Sequence, residues 1–109
     1  MKEEELKELK KEIIEARPIL DALSSEVRQS IILELATIYP NGIRIGDIKM
    51  KHCITRPTMS HHMKLLYKAK LIQYVKKGTK NYYYLSIEKN KLEKVEAVIS
   101  KLKAFTGEV

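Results

Sequence analysis

The sequence predicts a mainly α fold with one β-hairpin, arranged as a winged helix-turn-helix and dimeric through its terminal helices. Three observations predict it. Two short helical segments joined by a tight turn occupy the middle of the chain. Two β-type runs rich in Tyr, Val and Ile follow, with a basic, glycine-containing connection between them. Amphipathic helices flank this unit at both ends.

The first helix is expected over residues 3–23. Leu6, Leu9, Ile13, Ala16, Leu20 and Leu23 alternate spacings of three and four and so form one apolar stripe. Glu3, Glu4, Lys7, Glu8, Lys11 and Glu12 make the solvated face. Pro18 keeps the phase of the stripe but predicts a kink or a restart. A second helix starts after Ser25, a capping residue followed by Glu26 at the positive end of the helix dipole. Val27, Ile31, Ile32 and Leu35 give it a broad buried face, and Tyr39-Pro40-Asn41-Gly42 ends it.

The helix-turn-helix is placed at residues 43–69. Its first helix covers roughly Ile45 to Lys51. Its second is capped by Thr55, with Pro57 in the first turn, where a missing N–H costs nothing. Met59, Met63, Leu66 and Ala69 face inward. The wing is placed at residues 72–86, from runs Ile72–Lys76 and Tyr82–Ser86. The connection Lys77-Gly78-Thr79-Lys80-Asn81 offers Gly and Asn for positive φ. Tyr82 and Tyr84 point to one face and Tyr83 to the other, and one of these faces packs on the core. A last helix runs from about Ile87 to Phe105 with the stripe Leu92, Val95, Ile99 and Leu102.

A chain of 109 residues suits a single domain, 1–109, with little to spare for a substrate cavity. One cysteine excludes an internal disulfide. The charged start and the lack of a long apolar run point to a cytoplasmic protein with no membrane partner. The net charge is +7, and its distribution is uneven. Residues 1–34 carry six Lys/Arg against nine Asp/Glu, and residues 87–109 carry five against four. Residues 35–86 carry ten Lys/Arg against the single acid Asp47. A basic centre of this kind suits a polyanion, although a solvated lysine surface has the same composition.

On this arrangement the second helix of the pair offers Thr55, Arg56, Thr58, Ser60, His61, Lys64 and Lys68 to double-stranded DNA. The hairpin offers Lys76, Lys77 and Lys80. Arg56, Ser60, His61 and Lys64 are expected at base edges, and Lys77 and Lys80 at phosphates. His62 is expected to pack against the wing. The terminal residues 1–23 and 87–109 are read as dimerisation helices, with Leu6, Leu9, Ile13, Leu92, Val95, Ile99 and Leu102 at the interface. Such stripes pack together either within one subunit or between two.

The segments Leu20-Asp21-Ala22-Leu23-Ser24-Ser25-Glu26-Val27-Arg28 and Thr58-Met59-Ser60-His61-His62-Met63-Lys64-Leu65-Leu66 resemble those of ArsR/SmtB-type regulators. So do Ala69-Lys70-Leu71-Ile72, Lys77-Gly78 and Tyr82-Tyr83-Tyr84-Leu85. The resemblance spans roughly Leu20 to Leu85. It implies that the helix from Thr55 is the recognition helix and that the first and last helices form a dimer. Metal-sensing members carry a Cys-x-Cys pair where this chain has Arg44 and Gly46, and a second site on the last helix. No histidine follows His62 here, so both sites are absent and no metal or other cofactor is expected.

The thiol and imidazole of Cys53 and His52 suit zinc or copper, but two adjacent residues do not complete a tetrahedral site. Further ligands would have to come from Met50, His62 or another subunit. The favoured reading makes Cys53 a small turn residue and His52 a partly buried neighbour. His61 and His62 point about 100° apart on a helix and suit one metal poorly. No Walker-type loop, G-x-S-x-G motif or carboxylate pair appears in the centre, so an enzyme is not expected. The function read from the sequence is a DNA-binding transcriptional regulator, a repressor acting as a homodimer on a palindromic operator. The alternative is a winged-helix interaction module that binds protein or nucleic acid without regulating transcription. The sequence names no effector.

Overall fold

The computed structural model describes residues 1–49 and 54–107. In chain order the elements are α1 (Glu3–Ala22), α2 (Glu26–Ile38), a 3-10 turn (Ile45–Asp47), α3 (Arg56–Lys68), β1 (Ile72–Lys77), β2 (Lys80–Leu85) and α4 (Lys89–Leu102). A closing 3-10 turn covers Lys103–Phe105. No helix among the described residues is long and apolar enough to cross a membrane.

The helices begin where local chemistry satisfies their first N–H groups. In α1 the backbone N–H of Lys2 donates to the Glu5 carboxylate at 3.2 Å. Glu3, Glu4 and Glu5 all sit in the positive first turn. Ser25 accepts from the Arg28 N–H at the start of α2, and Thr55 accepts from the Thr58 N–H at the start of α3. Pro18 lies inside α1 without restarting it. The residue is exposed, so water can take up the carbonyl left without a donor.

The core forms where α2, α3 and the base of the hairpin meet. Ile31, Leu35, Met63, Leu66 and Ile72 are fully buried. Ile19 and Ala22 from the end of α1 join them, with Ile48, Met59, Ala69 and Leu71. Leu20 and Leu23, expected on the inward stripe, are instead exposed. At its C-terminal end α1 meets the core through Ile19 and Ala22, one residue out of the expected phase. At the end of α3, Lys70 takes a left-handed φ of 63°. Its N–H bonds the Tyr67 carbonyl and the Leu71 N–H bonds the Leu66 carbonyl. This reversal closes the helix with both Leu66 and Leu71 in the core.

The hairpin is tighter than its sequence suggests. Lys77 pairs with Lys80 and Lys76 with Asn81, so the connection is only Gly78-Thr79. Gly78 has φ +62°, whereas Asn81 lies in the strand. A two-residue turn with Gly first matches the twist of the paired strands, which a five-residue loop would not exploit. Ile43 adds a short third edge. Its N–H and C=O exchange hydrogen bonds with Tyr83 at 2.9 and 2.8 Å. Gly42 eases that approach: a Cβ there would stand 3.2 Å from both Tyr82 Cβ and the Tyr83 carbonyl oxygen, tighter than most side-chain contacts.

The expected helix from Ile45 to Lys51 is a single 3-10 turn over Ile45–Asp47, followed by extended Ile48. Its remaining residues from Met50 onward lie outside the described residues, as do His52 and Cys53. The last helix is α-helical only from Lys89 to Leu102.

The two terminal helices pack against each other within one protomer. Lys94 pairs with Glu15, and Lys101 with Glu12 and, at 3.7 Å, with Glu8. The order of these pairs makes α1 and α4 antiparallel. The Lys94 ammonium holds the Glu15 carboxyl below its usual range, and the Glu12 carboxylate raises Lys101 above its own. Glu8 and Glu12 therefore do not form a purely solvated face. The intramolecular contact also divides the proposed dimer residues. Leu9 is buried in the single chain, as is Val98 outside that set, and Val95 packs on the core. Ile13 is half-buried, whereas Leu6, Leu92, Ile99 and Leu102 are exposed.

Candidate nucleic-acid interface

Helix α3 presents a polar, cationic face because its apolar residues recur at helical spacing. Met59, Met63 and Leu66 are buried, and Ala69 follows them inward. That phase leaves Arg56, Thr58, Ser60, His61, Lys64 and Lys68 exposed, with Thr55 at the cap. No acidic residue lies on this helix. The Thr55 hydroxyl donates to the Thr58 hydroxyl at 2.9 Å. These two side chains therefore fix the helix start as well as lining its face.

His61 and His62 differ in environment despite being neighbours. His61 is exposed and His62 half-buried. Their ring centroids stand 6.0 Å apart at 53°. His62 has its hydrogen-bond partner on α2, not on the wing: Arg28 Nη1 meets its Nδ1 at 2.9 Å. Burial lowers the His62 pKa, and the positive charge of Arg28 and the neighbouring His61 add to the effect. Among the described residues no group of three or more His, Cys, Asp and Glu is arranged to hold a metal ion.

The hairpin register separates the three wing lysines. Lys76 shares a face with Tyr74, Tyr83 and Asn81, whereas Lys77 and Lys80 share the other with Val75 and Tyr82. Lys77 Nζ lies 5.2 Å from the Tyr82 ring centroid. On the first face, Tyr67 of α3, Tyr74 and Tyr83 are spaced at 5.5 Å intervals. Tyr83 packs against the core. This aromatic row fixes the wing to the end of the helix, and the lysines of the tip are all exposed.

Sequence reasoning missed Arg44, which it treated only as the place of an absent cysteine. In the structure Arg44 lines a cleft of about 360 Å³ with Arg56, Lys80, Thr79, Asn81, Tyr83 and the Ile45–Asp47 turn. Arg44 Nε bonds the Asp47 carboxylate at 2.9 Å, and that carboxylate raises the Arg44 pKa. Arg56 Nη1 reaches to 3.5 Å from where a Gly46 Cβ would lie. Its guanidinium is thus turned toward the 3-10 turn. The available signal in the sequence was Asp47 itself, the single acid among ten cations.

No protein-family model and no curated protein matches the sequence. Solved structures do match. An ArsR-like transcriptional regulator from Rhodococcus sp. RHA1 is similar at 22% identity, with 84% of this chain and 80% of that chain covered and a TM-score of 0.65. NolR from Sinorhizobium fredii is similar at 17% identity, over 100% of this chain and 97% of its own, with a TM-score of 0.60. The transcriptional repressor BigR from Xylella fastidiosa is similar at 18% identity, over 99% and 100%, with a TM-score of 0.57. Helix α3, the hairpin behind it and the helices at either end thus have the arrangement of these proteins, and the chain has the winged helix-turn-helix fold of ArsR-type regulators.

Proposed function

We propose that this protein is a sequence-specific DNA-binding transcriptional regulator, acting as a homodimeric repressor on a palindromic operator. One observation carries the reading: an acid-free helix face bearing Arg56, Ser60, His61, Lys64 and Lys68 stands beside a hairpin tip bearing Lys76, Lys77 and Lys80. Side chains of this kind on a helix can reach base edges in a major groove, while a flanking basic ribbon grips phosphates. The fold shared with ArsR-type regulators supports this reading, and so does the concentration of positive charge in residues 35–86. The protein binds and does not catalyse.

The dimer is supported by the apolar side chains that remain exposed after α1 and α4 pack together. Leu6, Ile14, Leu92, Ile99, Leu102 and Phe105 are each at least 41% exposed. So much apolar surface on two adjacent helices suits a two-fold partner. A two-fold protein matches a palindromic site. The test is fluorescence anisotropy of the purified protein on duplexes from the upstream region of its own gene and on random duplex. Saturable binding to an upstream duplex at least a hundredfold tighter than to random DNA is expected (specificity ratios run to roughly a thousandfold and above). Equal, weak binding to both would favour an interaction module without a regulatory site.

A further inference from the structure

The cleft between the 3-10 turn, the start of α3 and the wing tip has a composition unlike the rest of the surface. Three cations, Arg44, Arg56 and Lys80, converge on it from three separate elements, against one carboxylate, Asp47. Neutral polar side chains, Thr79 and Asn81, line the same space. The walls are held at a set distance. The hydrogen-bonded pair Ile43 and Tyr83 ties the backbone just before Arg44 to β2, the strand that begins at Lys80. The Arg56 guanidinium lies against the turn, with Nη1 3.5 Å from where a Gly46 Cβ would stand. Arg44 is held to Asp47 through Nε, and no hydrogen bond from its two terminal nitrogens is formed among the described residues.

We propose that this cleft seats one backbone phosphate of the DNA, gripped by Arg44, Arg56 and Lys80, with Asp47 orienting Arg44 and weakening the grip. The inference rests on the DNA-binding reading and deepens it. It makes Arg44 a DNA contact and moves Arg56 from base reading to phosphate binding. A phosphate oxyanion fits because guanidinium groups present parallel N–H donors to it. The site also lies at the N-terminal end of α3, where the positive end of the helix dipole favours the same charge. Asp47 hydrogen-bonds the Nε edge of Arg44 and so fixes the plane of the guanidinium. The same carboxylate repels an incoming phosphate. The grip is therefore loose enough to be tuned by one side chain, and the recognition helix is set against the duplex at a constant register.

The test is a salt series of anisotropy titrations on random duplex and on an upstream duplex, for wild type, Arg44→Gln, Arg44→Lys and Asp47→Asn. For Arg44→Gln the slope of log affinity against log salt is expected to fall by about 0.9 per bound protomer, with both duplexes weakened by the same factor. Arg44→Lys keeps most of the slope. Asp47→Asn retains an oxygen for Nε but removes the charge, and should tighten both duplexes by about threefold. An unchanged slope in Arg44→Gln, with the wild type still binding, overturns the inference and leaves the DNA-binding reading intact. A selective loss on the upstream duplex would instead make Arg44 a base reader, which also overturns it. Pyrophosphate that binds wild type but not Arg44→Gln, with the DNA salt slope equal in the two proteins, would assign the cleft to a free phosphorylated solute and overturn the DNA assignment. A wild type that binds no duplex removes the functional reading and this one together.

Discussion

Arg28 on α2 and His62 on α3 are joined by a 2.9 Å hydrogen bond between Nη1 and Nδ1. Arginine always carries its protons, so Nδ1 accepts and His62 is neutral with its proton on Nε2, an assignment made from the bonding network. The same guanidinium donates through Nε to the Ala22 carbonyl and through Nη2 to the Asp21 carbonyl, each at 2.9 Å. One side chain thus fastens the end of α1 and the start of α2 to the candidate recognition helix.

This relationship predicts a pH dependence. Protonating His62 removes the acceptor and places a second positive charge beside Arg28, and burial already holds its pKa below 6.5. The unfolded chain then binds the proton more readily than the folded one. Stability is full above the unfolded value near 6.5 and is lost as pH falls through the lower folded value. Thermal melts from about pH 7.5 to about pH 5 should show a steeper loss for wild type than for His62→Gln, which keeps an acceptor and cannot titrate. Parallel curves for the two proteins would refute the role of this bond.

Arg28→Ala should destabilise the fold by about 2 kcal/mol, since it removes a charged donor from two helix-end carbonyls and an imidazole. Arg28→Lys should recover only part of this, because one ammonium cannot span three separated acceptors with a planar fork. Urea unfolding followed by circular dichroism measures both. Full recovery by lysine would mean that charge alone matters at this position.

The split of the terminal stripes separates folding from assembly. Leu9 is 8% exposed in the single chain, so Leu9→Ala should cost about 2–4 kcal/mol in unfolding free energy. Ile99 is 49% exposed, so Ile99→Glu should leave the protomer fold intact and yield monomer. Light scattering reads the second effect and thermal denaturation the first. A wild type that is monomeric at the concentration of the assay would sink the dimer proposal.

Helix and wing should differ in what they contribute on DNA. His61→Ala or Lys64→Ala should lose about 1–3 kcal/mol on the cognate duplex and little on random DNA. Lys77→Ala or Lys80→Ala should weaken both duplexes nearly equally and flatten the salt dependence by about 0.9 per contact removed. Loss of specificity in the Lys77 and Lys80 variants, with none in the His61 and Lys64 variants, would mean that α3 is not the recognition helix.

The sequence by itself determined the elements whose cause is local. Apolar residues at helical spacing placed α1, α2, α3 and α4. Ser25 and Thr55 marked two helix starts, because a capping hydroxyl needs only the next few residues of its own chain. The inward face of α3, and with it the exposed row from Arg56 to Lys68, followed from the same period. Tertiary structure decided which residues meet across elements. Gly78-Thr79 became the whole hairpin turn once strand pairing set the register, and that register put Lys76 on the face opposite Lys77 and Lys80. His62 found its hydrogen-bond partner in Arg28, because the end of α1 and the start of α2 hold that guanidinium beside α3. Leu9 and Ile99 follow the same kind of sequence pattern, yet packing of α4 on α1 buries one and exposes the other. Arg44, Arg56 and Lys80 carry no common motif. They surround one cleft because the Ile43–Tyr83 pairing and the start of α3 bring three distant segments together, and a hydrogen-bonded contact between distant segments leaves no period in the sequence.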